Sequence, residues 1–234
     1  MIPLRDENPT RTVPYIVYAL IAANVLVYLY NGSLGPHARN PLAGFELVPA
    51  SLFGGSDYIS PVAPWLTVFT AMFMHANLLH IGVNMLYLWI FGNNIEDVLG
   101  HVKFLAFYLL CGVAAALAQV AVSPASRVPM VGASGAIAGV LGAYLILFPK
   151  ARIISLVILF YFVQVTALPA SLVLGFWIVL QVINSLVMGG GVGGGIAYAA
   201  HIGGFLAGIL MIFLLGGKRL VGGRQTVGYR RYRW

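Results

Sequence analysis

The sequence predicts an all-α, polytopic membrane protein: a bundle of six transmembrane helices with both termini on the cytoplasmic side. Three observations lead there. Of the 234 residues, 60% are hydrophobic and only 8% charged, where soluble domains carry about 45–50% apolar and about 25% charged residues; a soluble surface cannot be built from that composition. Apolar runs of about 17–25 residues recur, long enough to cross a hydrocarbon core about 30 Å thick at about 1.5 Å per helical residue. The basic residues behind the net charge of +7 fall unevenly on the connections between those runs.

The first span covers about residues 13–30, after a cytoplasmic N-terminal segment, residues 1–12. It ends in Tyr28-Leu29-Tyr30-Asn31-Gly32 with no small-x-small cleavage site, and it is long for a signal-peptide core, so it is expected to be retained. The connection from about Asn31 to Trp65 mixes Gly, Pro and Ser with Leu47, Val48, Leu52 and Phe53. Its backbone groups need internal partners at membrane depth, which predicts short helical turns lying in the interface on the outer side.

The second span is expected at about 72–92, the third at 103–122, the fourth at 134–148, the fifth at 169–187 and the sixth at 195–215. Ile153 to Val165 is apolar too, but its thirteen residues are short for a span and Pro169 interrupts the pattern, so it reads as an interfacial or re-entrant piece. Six spans put Arg5, Arg11, Lys103, Lys150, Arg152 and the tail residues Lys218, Arg219, Arg224, Arg230, Arg231 and Arg233 on one side, against Arg39 and Arg127 on the other. The positive-inside rule makes the first side cytoplasmic. A seventh span at Ile153–Val165 would put the basic tail outside, against that bias.

The six-span unit thus runs over residues 13–217, and residues 218–234 form a basic cytoplasmic tail with Tyr229, Tyr232 and Trp234. Such a tail reads as a neighbour of anionic lipid, with no nucleic-acid partner expected. Cys111 is the only cysteine, which excludes an internal disulfide and a thiolate cluster; mid-run in an apolar helix, it reads as a small buried hydrophobe.

Polar side chains inside spans are costly and mark function or helix contact. Gly132-Ala133-Ser134-Gly135 opens the fourth span. A serine between glycines at a helix start has an approachable backbone and free first-turn N–H groups, the requirements of an acyl-transfer nucleophile with an oxyanion site; a helix cap with small-residue packing is the plain alternative. Ala200-His201-Ile202-Gly203-Gly204 begins the sixth span, which runs in the same direction as the fourth. His201 and Ser134 thus reach similar depth on one side, and Gly204 and Gly208 form a small-xxx-small face beside the histidine. In His75-Ala-Asn-Leu-Leu-His80-Ile-Gly-Val-Asn84, His80 and Asn84 share a helix face and offer donors to an oxyanion. On a continuous helix His75 and His80 would point about 140° apart, poor for two-histidine zinc binding, and no His-Glu-x-x-His occurs. No span contains an Asp, and Glu96 and Asp97 fall at the far end of the second span. A dyad without an acid follows, and an aspartyl protease is excluded.

These residues resemble the rhomboid intramembrane serine proteases over about residues 10–217. Gly132-x-Ser134-Gly135 is similar to that family's nucleophile motif, Ala200-His201 with Gly204 to its base motif, and His75…His80-x-x-x-Asn84 with Gly92-x-x-x-Glu96 to its second-span motifs. The resemblance implies that Ser134 attacks a peptide carbonyl and His201 shuttles the proton, while His80, Asn84 and the Ser134 N–H bind the oxyanion. It further implies a six-helix domain around a water-filled cavity open to the outer side of the cell membrane. Single-span membrane proteins would be the substrates, and neither cofactor nor metal is required. Trp65-Leu66-Thr67 stands where some relatives have Trp-Arg. Ala138 stands where some place an aromatic against the histidine, so His201 needs another orienting group. A catalytically silent rhomboid-like binding or quality-control factor is the alternative function; such relatives typically lack the serine or histidine, and both are present here. A small transporter is disfavoured by the lack of an inverted repeat with paired broken spans.

Overall fold

A computed structural model of the chain describes residues 1–32, 42–55, 59–159, 161–187, 192–193, 196–217 and 221. The basic tail, apart from Val221, and Arg39 lie outside the described residues, as do Gly189 and most of the glycine-rich stretch that follows it. In chain order the principal elements are β1 (Ile2–Asp6), α1 (Tyr15–Gly32), α2 (Leu78–Leu99), α3 (His101–Val122), α4 (Ser134–Leu147), β2 (Arg152–Leu159), β3 (Phe162–Pro169), α5 (Ala170–Val187) and α6 (Tyr198–Leu214). The connection before α2 makes the expected short turns, at Pro49–Phe53 and through Pro64–Phe73.

Mostly helical and strongly apolar, the chain is a membrane protein. Among the described residues α1, α3 and α5 are long and apolar enough to cross a bilayer, and a fourth span results if Pro64–Phe73 and α2, bent by 81°, count as one. The helices α4 and α6 are shorter; the 14 residues of α4 reach only about 21 Å. That shortness fits its place: Ala136 through Tyr144 are all buried, because α4 is wrapped by protein.

Glycine sets how closely α4 is wrapped. A Cβ on Gly204 would meet the Gly135 carbonyl, and one on Gly208 the Gly139 carbonyl, so the backbones of α4 and α6 touch. The small-xxx-small face read from α6 is therefore satisfied by a second one, Gly135 and Gly139, on α4.

The second span is displaced from its expected limits for a visible reason. Asn77 caps α2 by accepting the His80 N–H at 2.8 Å. A π turn at Leu88–Gly92 then carries the helix on to Leu99, and Gly100 stops it at φ 76°, where glycine is favoured. The carboxylates at its end anchor α1. Glu96, fully buried, accepts the Ile16 and Val17 N–H groups at 2.9 and 2.8 Å, and Asp97 accepts from the Thr12 N–H and hydroxyl at 3.0 and 2.7 Å. Two carboxylates thus meet the positive end of α1 and its orphan donors. Gly92 lets Val17 approach, since a Cβ there would stand 3.0 Å from its Cγ2.

The expectation of an all-α chain is corrected between α4 and α5. Ile153–Val165 is not a re-entrant piece: β2 and β3 pair antiparallel from Arg152↔Pro169 to Leu159↔Phe162, and β1 adds to β2. The run is dense in β-branched residues, and cross-strand bonds satisfy its backbone. Ile153 and Ser155 pack inward, whereas Ile158 and Val163 are exposed. Glu7 and Arg152 hold the N-terminal strand by an ion pair of 3.3 Å, and Tyr144 of α4 donates its hydroxyl to Asp6 at 2.8 Å. The short strands Val192–Gly193 and Ile196–Ala197 pair just before α6.

Candidate functional site

A cavity of about 680 Å³ opens beside the first turn of α4, with His80, Asn84, Gly132, Ser134, Trp177 and His201 in its wall. Its floor is pinned by backbone. The Gly132 N–H donates to the Ala71 carbonyl at 2.9 Å, and Leu47 and Met130 exchange backbone hydrogen bonds of 3.1 and 2.7 Å, so the segment before α4 has one path. Gly132 adopts φ 125°, and a Cβ there would stand 2.8 Å from His80 Nε2. Glycine is required twice, for the dihedral and for the ring laid against it. That pairing brings the His80 imidazole next to the turn that presents Ser134.

Ser134 is the first residue of α4, where the leading N–H groups lack helical acceptors. His201 lies in the first turn of α6. The close α4–α6 contact brings His201 Nε2 to 2.8 Å from Ser134 Oγ, so the two residues singled out from separate motifs are direct hydrogen-bond partners. Asn84 is buried and on the same face of α2 as His80, whose carbonyl accepts from its Nδ2 at 2.8 Å. The amide's second hydrogen is not part of that bond.

The expected divergence of His75 and His80 is corrected. Because α2 starts at Leu78, His75 is off the helix, and its ring meets His80 edge-on with centroids 5.0 Å apart. Among the described residues, buried His75 has no hydrogen-bond partner at either ring nitrogen; its contact with His80 is one of shape.

What orients His201 was not legible from its own motif. Gln181 on α5 places Oε1 2.8 Å from His201 Nδ1, and Trp177, one turn earlier, sets its ring 5.7 Å from the imidazole at 36°. The aromatic that Ala138 fails to supply from α4 therefore comes from α5. Gln119, fully buried on α3, accepts the Ala200 N–H at 3.3 Å and steadies the start of α6. Both glutamines carried a signal: each is a polar side chain inside an apolar span.

The bundle and its cavity define a polytopic helical membrane protein with a hydroxyl and an imidazole paired inside it. The chain belongs to the rhomboid family, whose model, described as Rhomboid domain, matches residues 63–218. It is 31% identical over 202 residues to "Rhomboid protein 1, mitochondrial" of Saccharomyces cerevisiae, covering 83% of this chain and 51% of the yeast protein. It is 32% identical over 135 residues to "Rhomboid protease GluP" of Bacillus subtilis, covering 56% of this chain and 24% of that one. The human "Presenilin-associated rhomboid-like protein, mitochondrial" is 31% identical over 82% of this chain and 46% of its own length. The chain thus spans about half the length of the yeast and human relatives, and less of the bacterial one.

Proposed function

We propose that this chain is an intramembrane serine endopeptidase that cleaves single-span membrane proteins. One observation carries the reading: the 2.8 Å contact of His201 Nε2 with Ser134 Oγ, in a cavity that also presents His80 and Asn84. Membership in a family that includes a named protease supports it.

In the reaction Ser134 Oγ attacks the scissile carbonyl carbon while its proton passes to His201 Nε2. The negative oxygen of the tetrahedral intermediate is met by the Ser134 N–H, the free Asn84 amide hydrogen and the His80 ring. Collapse breaks the C–N bond, and the amine leaves with the proton from Nε2. Water in the cavity then attacks the acyl ester, again giving a proton to Nε2, and the carboxylic acid departs as Ser134 regains its hydrogen. Neither metal nor cofactor enters these steps. The bundle crosses the membrane six times over residues 13–217, with both termini in the cytoplasm, the basic tail against anionic headgroups and the cavity facing the outer side of the cell membrane.

The test is labelling of the full-length protein in detergent with a fluorophosphonate, the adduct being mapped by mass spectrometry. The expected result is one adduct, at Ser134; an unlabelled protein that also leaves model single-span substrates intact would overturn the reading. Asn84→Ala is expected to lower the cleavage rate by about 10²–10³ with binding unchanged, read as a fall in kcat at constant KM.

A further inference from the structure

We infer that Gln181 is the positioning residue that replaces the missing acid, holding His201 in the one tautomer and ring orientation that can take a proton from Ser134. The inference rests on the proposed Ser134–His201 chemistry and goes beyond it to a residue on a third helix.

The argument starts from donor and acceptor arithmetic. A neutral imidazole has one N–H and one bare nitrogen. An amide oxygen only accepts, so Oε1 of Gln181, 2.8 Å from Nδ1, requires the hydrogen on Nδ1. Nε2 is then bare, and the Ser134 hydroxyl 2.8 Å away is its donor. The other half of the amide agrees with this assignment: Gln181 Nε2 lies 3.5 Å from the Trp177 carbonyl, a long contact that suits a donor better than a second oxygen. Gln181 is buried, which limits competition from water for the bond.

The choice of a neutral amide has its own reason. A carboxylate at this depth would be buried among α5 and α6 at a high desolvation cost, whereas an amide supplies the same acceptor without charge. The glutamine orients the ring and stabilises the imidazolium only by a dipole, a weaker form of the acid's role in a triad. Trp177 sits one turn earlier on α5 and packs on the same ring, so α5 fixes both the ring plane and its hydrogen. Among the described residues, the titratable side chains that share the cavity wall with this imidazole are His80 and Tyr87 of α2, and His75 packs against His80.

The experiment measures the fluorophosphonate labelling rate of full-length Gln181→Leu and Gln181→Glu against pH, with thermal unfolding alongside and kcat and KM for a single-span substrate. For Gln181→Leu the expected result is a 10–100-fold loss in labelling rate and kcat at near-constant KM and melting temperature. Gln181→Glu keeps the acceptor and the shape and is expected to recover labelling. Its carboxylate favours the protonated ring, so the pH at which labelling switches on moves upward. Wild-type labelling by Gln181→Leu, or a Gln181→Glu pH profile that superimposes on the parent's, would overturn the inference. Should Gln181→Leu fail to fold, the Gln181→Glu profile decides alone. Labelling that persists in Ser134→Ala would remove the underlying reading as well, whereas its loss there with indifferent Gln181 variants removes only the role of Gln181.

Discussion

Ser134→Ala and His201→Ala are each expected to lower cleavage of a single-span substrate by on the order of 10⁴–10⁶, and the double variant by no more than either alone. In the proposed mechanism the hydroxyl and the imidazole act as one unit. Without Nε2 to receive its proton the Ser134 hydroxyl is a poor nucleophile, and without the hydroxyl the imidazole has nothing to deprotonate. Ser134→Ala removes one oxygen from the edge of a cavity, so the fold should survive and the melting temperature stay near that of the parent. Cleavage is followed in proteoliposomes with a tagged substrate. Losses that simply add in the double variant would mean that the two side chains work independently, whatever their separation.

Gly208→Val should be the most damaging substitution far from the reacting atoms. A Cβ at Gly208 would stand 2.5 Å from the Gly139 carbonyl carbon and 2.6 Å from its Cα, backbone atoms that cannot turn aside. The two helices must part, at a cost of about 1–3 kcal/mol or more for overpacking. Because Ser134 starts α4 and His201 lies in the first turn of α6, parting them also stretches the 2.8 Å contact; a displacement of about 1 Å can cost about 10² in rate. Thermal unfolding and fluorophosphonate labelling should fall together. Gly82→Ala and Gly175→Ala are the controls, since a Cβ at either position meets nothing within 4 Å; both should leave stability and labelling near parental values. A Gly208→Val protein that labels normally would show that the close approach is dispensable.

Much of the candidate site's geometry was legible in the sequence because it is built from helix starts. Ser134 between glycines, His201 before a small-xxx-small face, and the four-residue spacing of His80 and Asn84 are local patterns, and helical geometry converts spacing directly into a shared face. The motif Gly92-x-x-x-Glu96 was visible as a pattern, but its work was not: Glu96 meets N–H groups of α1 some eighty residues earlier in the chain. His75 was misplaced by extending a helix past its own start, although Asn77 is a good N-cap and could have marked the boundary. The hairpin after α4 was misread because a short apolar run has the same hydropathy whether it lies in lipid or pairs as strands; the β-branched content of Arg152–Leu159 was the better clue.

By itself the sequence determined the solvent this protein lives in, the approximate places of its apolar helices and which polar side chains are set into apolar runs, since each depends on composition or on neighbours a few residues apart. Only the tertiary structure decided which of those side chains meet. The contact of α4 with α6, the reach of Gln181 and Trp177 to His201, and the addition of β1 to the hairpin each depend on how elements rotate and cross. Helix rotation and approach are set by packing summed over whole interfaces, a quantity that no local pattern contains.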